Sequence, residues 1–260
     1  MTQTVLITGA SAGIGAALAA RYARSGVRLG LVARNRQRLD EVAAECRRLG
    51  AAEIHCFPAD VTARTALMDW ISGFDGKFAI DVAIANAGIL TGSSPEGEIE
   101  SPDLSLRLLE TNILGVVNTL HPVIPAMMAR RRGQIGIMSS LAGFIPMPDM
   151  PSYSASKAWA LNYGQALRTL LRPYGIGVSV ICPGFVTSAM TDQIIGTKHF
   201  EMPAGRAAEL IQDGLARNRS IVAFPFFFGW LTRFGGILPE FLRRYTTKPF
   251  ELKIARRDGP

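Results

Sequence analysis

Short apolar runs alternate along the chain with longer stretches in which apolar residues recur every three or four positions. This pattern predicts strands at residues 5–7, 27–32, 54–58, 80–85, 135–138, 177–181 and 221–223, and helices at 16–25, 36–49, 63–72, 103–131 and 153–171. Pro122 and Pro125 should bend the long helix. Strands that are apolar throughout and are separated by helices are typical of a parallel sheet covered on both faces. We therefore expect an α/β, doubly wound fold.

The composition is that of one globular domain. Apolar residue types make up 48% of the 260 residues and charged types 19%, so we expect a single domain over 1–260, with a core at 1–188 and a variable part at 189–260. The net charge of +7 comes from scattered arginines and does not predict a nucleic-acid partner. Three cysteines without a CxxC pair, and no leader segment, predict reduced thiols in a cytoplasmic protein. We expect no metal site, and no uninterrupted apolar run reaches the roughly 20 residues of a membrane span.

A glycine-rich turn follows the first predicted strand. Gly9, Gly13 and Gly15 are spaced G-x-x-x-G-x-G, which lets backbone N–H groups approach a pyrophosphate at the start of a helix. Residues 9–13 also match the Gly-x-Ser-x-Gly pattern of a hydrolase nucleophile elbow, with Ser11 as the nucleophile. That site needs an oxyanion-hole loop after an earlier strand, and here no earlier strand exists. The candidate histidines, His55, His121 and His199, follow no clear strand end, so a serine hydrolase is the weaker alternative.

The end of the second predicted strand bears on the choice of cofactor. A dinucleotide fold that prefers NAD usually has Asp or Glu at this position, to bind the adenosine ribose hydroxyls. This chain has Ala33 instead, followed by Arg34 and Arg36. A guanidinium binds a 2′-phosphate, which a carboxylate would repel. We therefore expect NADP(H) with Arg34 as a contact, and NAD(H) as the alternative.

Tyr153 and Lys157 are four residues apart near the start of a predicted helix, so they share one face. A tyrosine with its usual pKa near 10 is a poor base at neutral pH, but a nearby ammonium and an oxidised nicotinamide would favour its phenolate. A Tyr-x-x-x-Lys pair by itself often occurs by chance and does not identify a site. Further polar and glycine features accompany it in chain order, namely Asn86-Ala87-Gly88, Asn112, Ser140 and Pro183-Gly184.

With these features the sequence resembles the short-chain dehydrogenase/reductase family. The resemblance covers residues 4 to about 190 and rests on residues 8–15, Asp60-Val61, Asn86-Ala87-Gly88, Asn112, Ser140, Tyr153, Lys157 and Pro183-Gly184. It implies a Rossmann-type domain that transfers a hydride between a nicotinamide and a carbonyl or secondary alcohol. The intact Ser140, Tyr153 and Lys157 argue against a non-catalytic nucleotide sensor, which is the other alternative.

The resemblance also implies a role for each matching residue. Tyr153 would be the general acid/base, Ser140 would hydrogen-bond the substrate oxygen, and Lys157 would lower the tyrosine pKa and bind the nicotinamide ribose. Asn112 would support a water that links Lys157 to solvent. The remaining cofactor contacts would be Thr8, Gly9, Ser11, Gly13, Ile14 and Gly15 at the turn, Asp60 and Val61 at the adenine, Asn86, Ala87 and Gly88 on the adenosine side, and Pro183, Gly184, Val186 and Ser188 near the carboxamide. The chain departs from the family at Ala85, where a second Asn is frequent, and at Ser188, where Thr is common.

The carboxyl-terminal third is variable in the family, and its sequence leaves alternatives open. Residues 189–203 would form a lid with an apolar inner face (Met190, Ile194, Ile195, Phe200 and Met202), which favours a bulky or hydrophobic carbonyl or alcohol substrate. The aromatic run at 224–231 follows a last predicted strand, and three interpretations of it are open. It packs internally, it lines a substrate site, or it lies on a membrane surface together with Arg233, Arg243, Arg244, Arg256 and Arg257. The resemblance implies a homodimer or homotetramer paired through the helices at 103–131 and 153–171.

Overall fold

The computed structural model describes residues 2–225 and 253–254. In this part of the chain strands and helices alternate, as the sequence predicts. Their order is β1 (Thr4–Thr8), α1 (Gly13–Ala23), β2 (Arg28–Ala33), α2 (Arg36–Arg48), β3 (Glu53–Pro58), α3 (Arg64–Phe78), β4 (Val82–Ala85), α4 (Pro102–Leu109), α5 (Gly115–Leu120), α6 (Ile124–Arg130), β5 (Gly133–Met138), α7 (Pro151–Leu171), β6 (Ile176–Pro183), β7 (Ile194–Ile195), α8 (Ala204–Ala216), β8 (Ile221–Phe224) and β9 (Lys253–Ile254).

Seven of the strands form one parallel sheet in the order β3-β2-β1-β4-β5-β6-β8. Successive side chains of a strand point to opposite faces, and β1 shows this directly. Val5 and Ile7 pack with residues of α1, α2 and α8, whereas Leu6 packs with residues of α3, α5 and α7. The sheet is therefore covered on both faces, and the predicted doubly wound Rossmann-type fold is confirmed.

The direction of winding reverses between β1 and β4, because β2 and β3 lie on one side of β1 and the later strands on the other. In open parallel sheets, ligands bind beyond the carboxyl ends of the strands at this reversal. The ends of β1 and β4 therefore mark where a functional site belongs.

The predicted helix at 103–131 is present as Pro102–Arg130, with local departures from regular α-helix. It consists of α4, a π-helical turn at Glu110–Leu114, α5, a turn at 121–123 and α6. The break at 121–123 lies where Pro122 and Pro125 predict a bend, but the π turn was not predicted. Helix α3 also extends to Phe78, past the predicted end at residue 72, and its Trp70 and Phe74 rings stack across that end with centroids 5.2 Å apart.

The stretch Pro102–Arg130 is long and apolar enough to cross a membrane. Within the domain it has the features of a core element, because buried polar side chains on it are hydrogen-bonded inside the fold. Asn118 donates to the carbonyl oxygen of Val61 at 2.9 Å, and Thr119 donates to that of Gly115 at 2.7 Å.

The last predicted strand is confirmed as β8, whose Val222 and Phe224 are buried in the sheet core. The rest of the aromatic run, residues 226–231, and the five arginines at 233–257 lie outside the described residues, so the three interpretations of this region stay predictions. Two residues of the terminal segment are described. They form β9, which pairs antiparallel with β7 through Ile254 opposite Ile194.

Candidate active site

The turn after β1 has the geometry of a phosphate cradle. Gly9 and Gly13 adopt positive φ angles of +68° and +54°, which side chains disfavour. A Cβ atom on Gly9 would lie 2.8 Å from the Cα of Ala87, and one on Gly15 would collide with the Gly9 carbonyl oxygen. Only glycines fit this turn, and helix α1 begins inside it at Gly13, where its free N–H groups favour an anion. The residues present therefore fit a dinucleotide pyrophosphate.

Thr8 and Asn86 join the turn to the end of β4. The Oγ1 atom of buried Thr8 accepts hydrogen bonds from the backbone N–H of Asn86 at 3.1 Å and of Ala87 at 3.3 Å. The side-chain amide of Asn86 donates to the carbonyl oxygen of Thr8 at 2.9 Å. Thr8 and Asn86 therefore hold the glycine turn against the end of β4, and Asn86 also lines the cleft.

A cleft of about 620 Å³ runs across the carboxyl ends of the strands. Most of the residues predicted for cofactor binding or catalysis line it: Gly9, Ser11, Gly13, Ile14, Gly15, Arg34, Asp60, Val61, Asn86, Ala87, Gly88, Ser140, Tyr153, Lys157, Pro183, Gly184, Val186 and Ser188. Of the predicted set, Thr8 and Asn112 lie behind its walls. The cleft thus joins the glycine turn at one end to the Tyr153–Lys157 pair at the other.

Two arginines reach the adenosine end of the cleft. Arg34 lies 3.7 Å from the carboxylate of Asp60, measured between Nη1 and Oδ2. Arg36, which the sequence also suggests, pairs instead with Asp40 on the exposed side of α2 and does not line the cleft. Arg38 does line it and was missed. The missed signal was its place in the first turn of α2, which Asn35 caps by accepting a hydrogen bond from the Arg38 N–H at 2.9 Å.

At the other end, Ser140, Tyr153 and Lys157 come together from two elements. Ser140 follows β5 and begins a short 3₁₀ turn, in which its hydroxyl accepts a hydrogen bond from the N–H of Ala142 at 3.1 Å. Tyr153 and Lys157 lie one turn apart on α7, with the lysine Nζ 5.6 Å from the centre of the tyrosine ring. Lys157 is buried, and its Nζ donates to the carbonyl oxygen of Met138 at 3.2 Å.

Burial controls the protonation of this pair. It raises the pKa of Tyr153, and a hydrogen bond with Ser140 acts in the opposite direction with the smaller effect. Burial also lowers the pKa of Lys157 to about 8. For the protein's own groups, desolvation of the phenolate outweighs the hydrogen bond that favours it, and the lowering of the tyrosine pKa by Lys157 and an oxidised nicotinamide stays a prediction. The phenol keeps its proton at neutral pH.

Asn112 lies in the π turn between α4 and α5, and its amide is fully used within the protein. The side-chain N–H groups donate to the carbonyl oxygen of Ile89 at 3.0 Å and to Ser156 at 3.1 Å, and the side-chain oxygen accepts from the Ile89 N–H at 2.8 Å. Asn112 thus fixes the loop after β4 against the helix that carries Tyr153. Its predicted role in supporting a water beside Lys157 stays a prediction.

Glu100 is a buried carboxylate near the site that the sequence reasoning missed. It accepts hydrogen bonds from the N–H of Ser152 at 2.9 Å and from the hydroxyl of Thr91 at 2.5 Å. The first contact caps the start of α7, where a negative charge is favourable, one residue before Tyr153. Glu100 lies in a loop 53 positions before Tyr153, so the sequence around it does not indicate that it contacts the start of α7.

The predicted lid is correct in part. Met190 and Ile194 line a second, smaller pocket beside Ser140 and Tyr153. Ile195 and Phe200 instead are 48% and 65% exposed. In β7 neighbouring side chains point to opposite faces, so Ile195 points away from the pocket that Ile194 lines. Met202 packs against the sheet core under α1 and α8. The inner face of the lid is therefore smaller than the apolar pattern suggests.

The arrangement disfavours the hydrolase alternative. All three histidines lie within residues 2–225, and none lines the cleft that contains Ser11. His55 is bound to Glu53 at 2.7 Å on the sheet edge, and His121 lies 3.4 Å from the hydroxyl of Tyr163. His199 lines the smaller pocket, at the opposite end of the site. Ser11 therefore has no histidine base.

Known proteins resemble this chain over nearly its whole length. The family described as short chain dehydrogenase matches residues 3–198. An uncharacterized oxidoreductase from Myxococcus xanthus is 34% identical over 243 residues, which are 92% of this chain and 93% of that protein. A short-chain dehydrogenase from Sphingobium yanoikuyae, solved in complex with NADPH, superposes with a TM-score of 0.79 at 28% identity, over 92% of this chain and 97% of its own.

A third similar protein is the alcohol dehydrogenase of Comamonas testosteroni, described as specific for bulky-bulky ketones. It superposes with a TM-score of 0.78 at 27% identity, covering 99% of this chain and 96% of its own. The match to the family spans about three quarters of the 260 residues, and the site geometry agrees with it. The chain therefore belongs to the short-chain dehydrogenase/reductase family.

Proposed function

We propose that this chain is an NADP(H)-dependent oxidoreductase that interconverts a ketone or aldehyde and the matching alcohol, with Tyr153 as the general acid/base. The observation that carries the proposal is the convergence of Ser140, Tyr153 and Lys157 at one end of a cleft whose other end is a glycine cradle for a pyrophosphate. When bound, the nicotinamide supplies or accepts the hydride. Every other part of the reaction falls to side chains that line the cleft.

In the direction of reduction, the site acts as a proton donor. Ser140 hydrogen-bonds the substrate carbonyl oxygen, and Tyr153 donates its phenolic proton to that oxygen as negative charge develops on it. The raised pKa of Tyr153 suits this role, because the phenol holds its proton at neutral pH until the charge appears. The ammonium of Lys157, next to the ring, stabilises the phenolate that remains. For oxidation the same groups work in reverse.

Charge at the adenosine end supports NADP(H) over NAD(H). Ala33 ends β2 where a carboxylate would contact the ribose, and Arg34 and Arg38 line the cleft beyond it. Two guanidinium groups there favour a 2′-phosphate. The similar Sphingobium enzyme was solved with NADPH, which agrees with this preference.

The substrate we propose is hydrophobic. The pocket beside Ser140 and Tyr153 is lined mainly by apolar side chains, and the similar Comamonas enzyme is described as specific for bulky-bulky ketones. An apolar carbonyl compound would bury its substituents in this pocket without burying an unpaired charge, which would be unfavourable.

The mechanism is tested by Tyr153→Phe, which removes the transferred proton and little else. We expect turnover with NADPH and a ketone to fall by about 10³-fold or more, while the dissociation constant for NADPH, measured by fluorescence titration, changes less than threefold. Tyr163→Phe is the matched control, because Tyr163 lies ten residues along the same helix and stacks on Trp159. Turnover of Tyr153→Phe equal to that of the control would refute the assignment.

A further inference from the structure

A second pocket opens from the inner end of the cleft. It has a volume of about 100 Å³ and shares Ser140, Tyr153, Gly184, Met190 and Thr191 with the cleft. A ketone whose oxygen contacts the hydroxyl groups of Ser140 and Tyr153 therefore has one substituent directed into this pocket. The size and polarity of this pocket, more than those of the cleft, therefore determine which substituent of the ketone fits the site.

The walls of this pocket are apolar and include one phenyl ring, that of Phe185. They consist mainly of Leu90, Leu141, Ile145, Met147, Met150 and Ile194, and the last four of these are buried in one cluster together with Ile254 of β9. Strand β9 closes the outer side of this cluster. The N–H of Ile254 donates to the Ser93 carbonyl oxygen at 3.1 Å, and Lys253 Nζ donates to the Asp149 carboxylate at 2.6 Å.

Charge is excluded from the pocket surface. Among the described residues that line it there is no Lys, Arg, Asp or Glu. Its polar groups are Ser140, Tyr153, Thr191 and, exposed at the rim, His199. The Thr191 hydroxyl is already hydrogen-bonded within its own turn. It donates to the Val186 carbonyl oxygen at 2.7 Å and accepts from the Ser188 N–H at 3.0 Å. A carboxylate placed in this pocket would lose its hydration without a charged partner.

The volume limits the size of the group that fits. An apolar cavity of roughly 150 Å³ holds one benzene molecule, so a pocket of about 100 Å³ suits about four carbon atoms. Methionine side chains rearrange easily because they are unbranched and flexible. Met147 and Met150 can therefore adapt the pocket to a single ring.

We propose, on the basis of the function proposed above, that the substrates are neutral ketones with an uncharged apolar substituent of about four to six carbon atoms, held in this pocket. In the reduction, Tyr153 would transfer its proton to the carbonyl oxygen, and a bound NADPH would supply the hydride that forms the new C–H bond at the carbonyl carbon; the products would be the secondary alcohol and NADP⁺. Keto acids that place a carboxylate in the same pocket are excluded as efficient substrates.

Three methyl ketones test the proposal on the intact enzyme. 2-Hexanone places a butyl group in the pocket, 4-oxopentanoate places a chain of similar size that ends in a carboxylate, and acetone places only a methyl group. With saturating NADPH, we expect kcat/KM for 2-hexanone to exceed that for acetone by about 60-fold, the gain from burying three further carbon atoms. We expect 4-oxopentanoate to be no better than acetone.

The outcomes separate this proposal from the one it rests on. Equal kcat/KM values for 4-oxopentanoate and 2-hexanone would overturn the substrate class and leave the oxidoreductase assignment intact. Tight NADPH binding without turnover of any of the three ketones would also overturn the substrate class, whereas the proposed function itself is contradicted only if Tyr153→Phe turns over a carbonyl substrate as fast as its control.

Variants of the wall test which residues hold the substituent. Met147→Ala enlarges the pocket, so we expect the kcat/KM ratio of 2-octanone to 2-hexanone to rise about tenfold. Leu90→Ala, at a partly buried position of the same wall, serves as a second variant in case Met147→Ala folds poorly. Leu170→Ala is the matched control, because Leu170 is exposed near the far end of α7. A ratio unchanged in both wall variants would show that the substituent lies elsewhere.

Discussion

Three arginines follow β2 at intervals of two residues, and the fold gives each a different environment. Arg34 faces Asp60 across the mouth of the cleft, Arg36 pairs with Asp40 on the exposed side of α2, and Arg38 lines the cleft. The alternation alone does not distinguish them; the position of each relative to the start of α2 decides whether the side chain lines the cleft, as for Arg34 and Arg38, or lies in solvent, as for Arg36.

We predict that Arg38→Ala weakens NADPH binding by about tenfold or more and NADH binding less than threefold. The reason is the loss of a charge-assisted hydrogen bond to the 2′-phosphate, which NADH lacks. Titration calorimetry with both dinucleotides measures the difference. Arg36→Ala is the control and should change neither constant by more than twofold. Equal losses for both dinucleotides in Arg38→Ala would contradict the assignment.

At the same scale, spacing in the sequence predicts that Tyr153 and Lys157 meet, but it does not predict their pKa values. The four-residue interval fixes their common helix face, whereas burial depends on β5 and the loop after it, which cover the pair. Lys157 is buried against the Met138 carbonyl, and desolvation lowers its pKa to about 8. Proximity of the two groups was predictable from local sequence, and the balance of charge and burial was not.

At the scale of elements, a buried ion pair joins α3, α6 and the approach to β4. The guanidinium of Arg130 donates to both carboxylate oxygens of Asp75 at 2.8 Å. The same carboxylate accepts from the N–H of Ile80 at 2.8 Å. The side chain of Asp75 is only 6% exposed, so these partners offset the cost of burying a carboxylate. The nearby pair of Arg132 and Asp81, 3.5 Å apart, lies largely in solvent.

We predict that Arg130→Ala lowers the free energy of unfolding by about 3 kcal/mol, because it leaves the Asp75 carboxylate buried without its cation. Arg132→Ala should lower it by no more than about 0.5 kcal/mol, as is usual for exposed pairs. Urea unfolding followed by circular dichroism provides both values. A similar loss in the two variants would mean that the Arg130 pair is as solvated as its neighbour.

The strands were predictable because each is a local apolar run, and their carboxyl ends located the site. The elements that the sequence did not predict depend on distant partners. The π turn that contains Asn112 is held by Ile89 and Ser156, 23 and 44 residues away. Strand β9 depends on pairing with β7, some 60 residues earlier. Amphipathic periodicity contains no information about such contacts, which explains why the lid was only partly correct.

At the scale of the whole molecule, an apolar surface on two neighbouring helices supports self-association. Leu104 and Leu106 of α4 are exposed. On α7, which packs against α4, Trp159 and Tyr163 stack with ring centroids 4.6 Å apart, and both rings are only partly buried. Large apolar side chains left in contact with solvent on neighbouring helices are candidates for an interaction surface. In the family such helices pair between subunits, and we propose the same surface for a homodimer or homotetramer here.

We predict that Leu106→Glu shifts the protein to smaller species, because a carboxylate buried in the contact would lose its hydration without a cation to pair with. Sedimentation velocity over a range of micromolar concentrations should show a dimer or tetramer for the unaltered chain and mainly monomer for the variant. Ile195→Glu is the matched control, since it places the same charge at an exposed apolar position that belongs to β7 and to neither α4 nor α7. Its sedimentation should match that of the unaltered chain. If Leu106→Glu also sediments as the unaltered chain does, the α4–α7 surface does not form the contact.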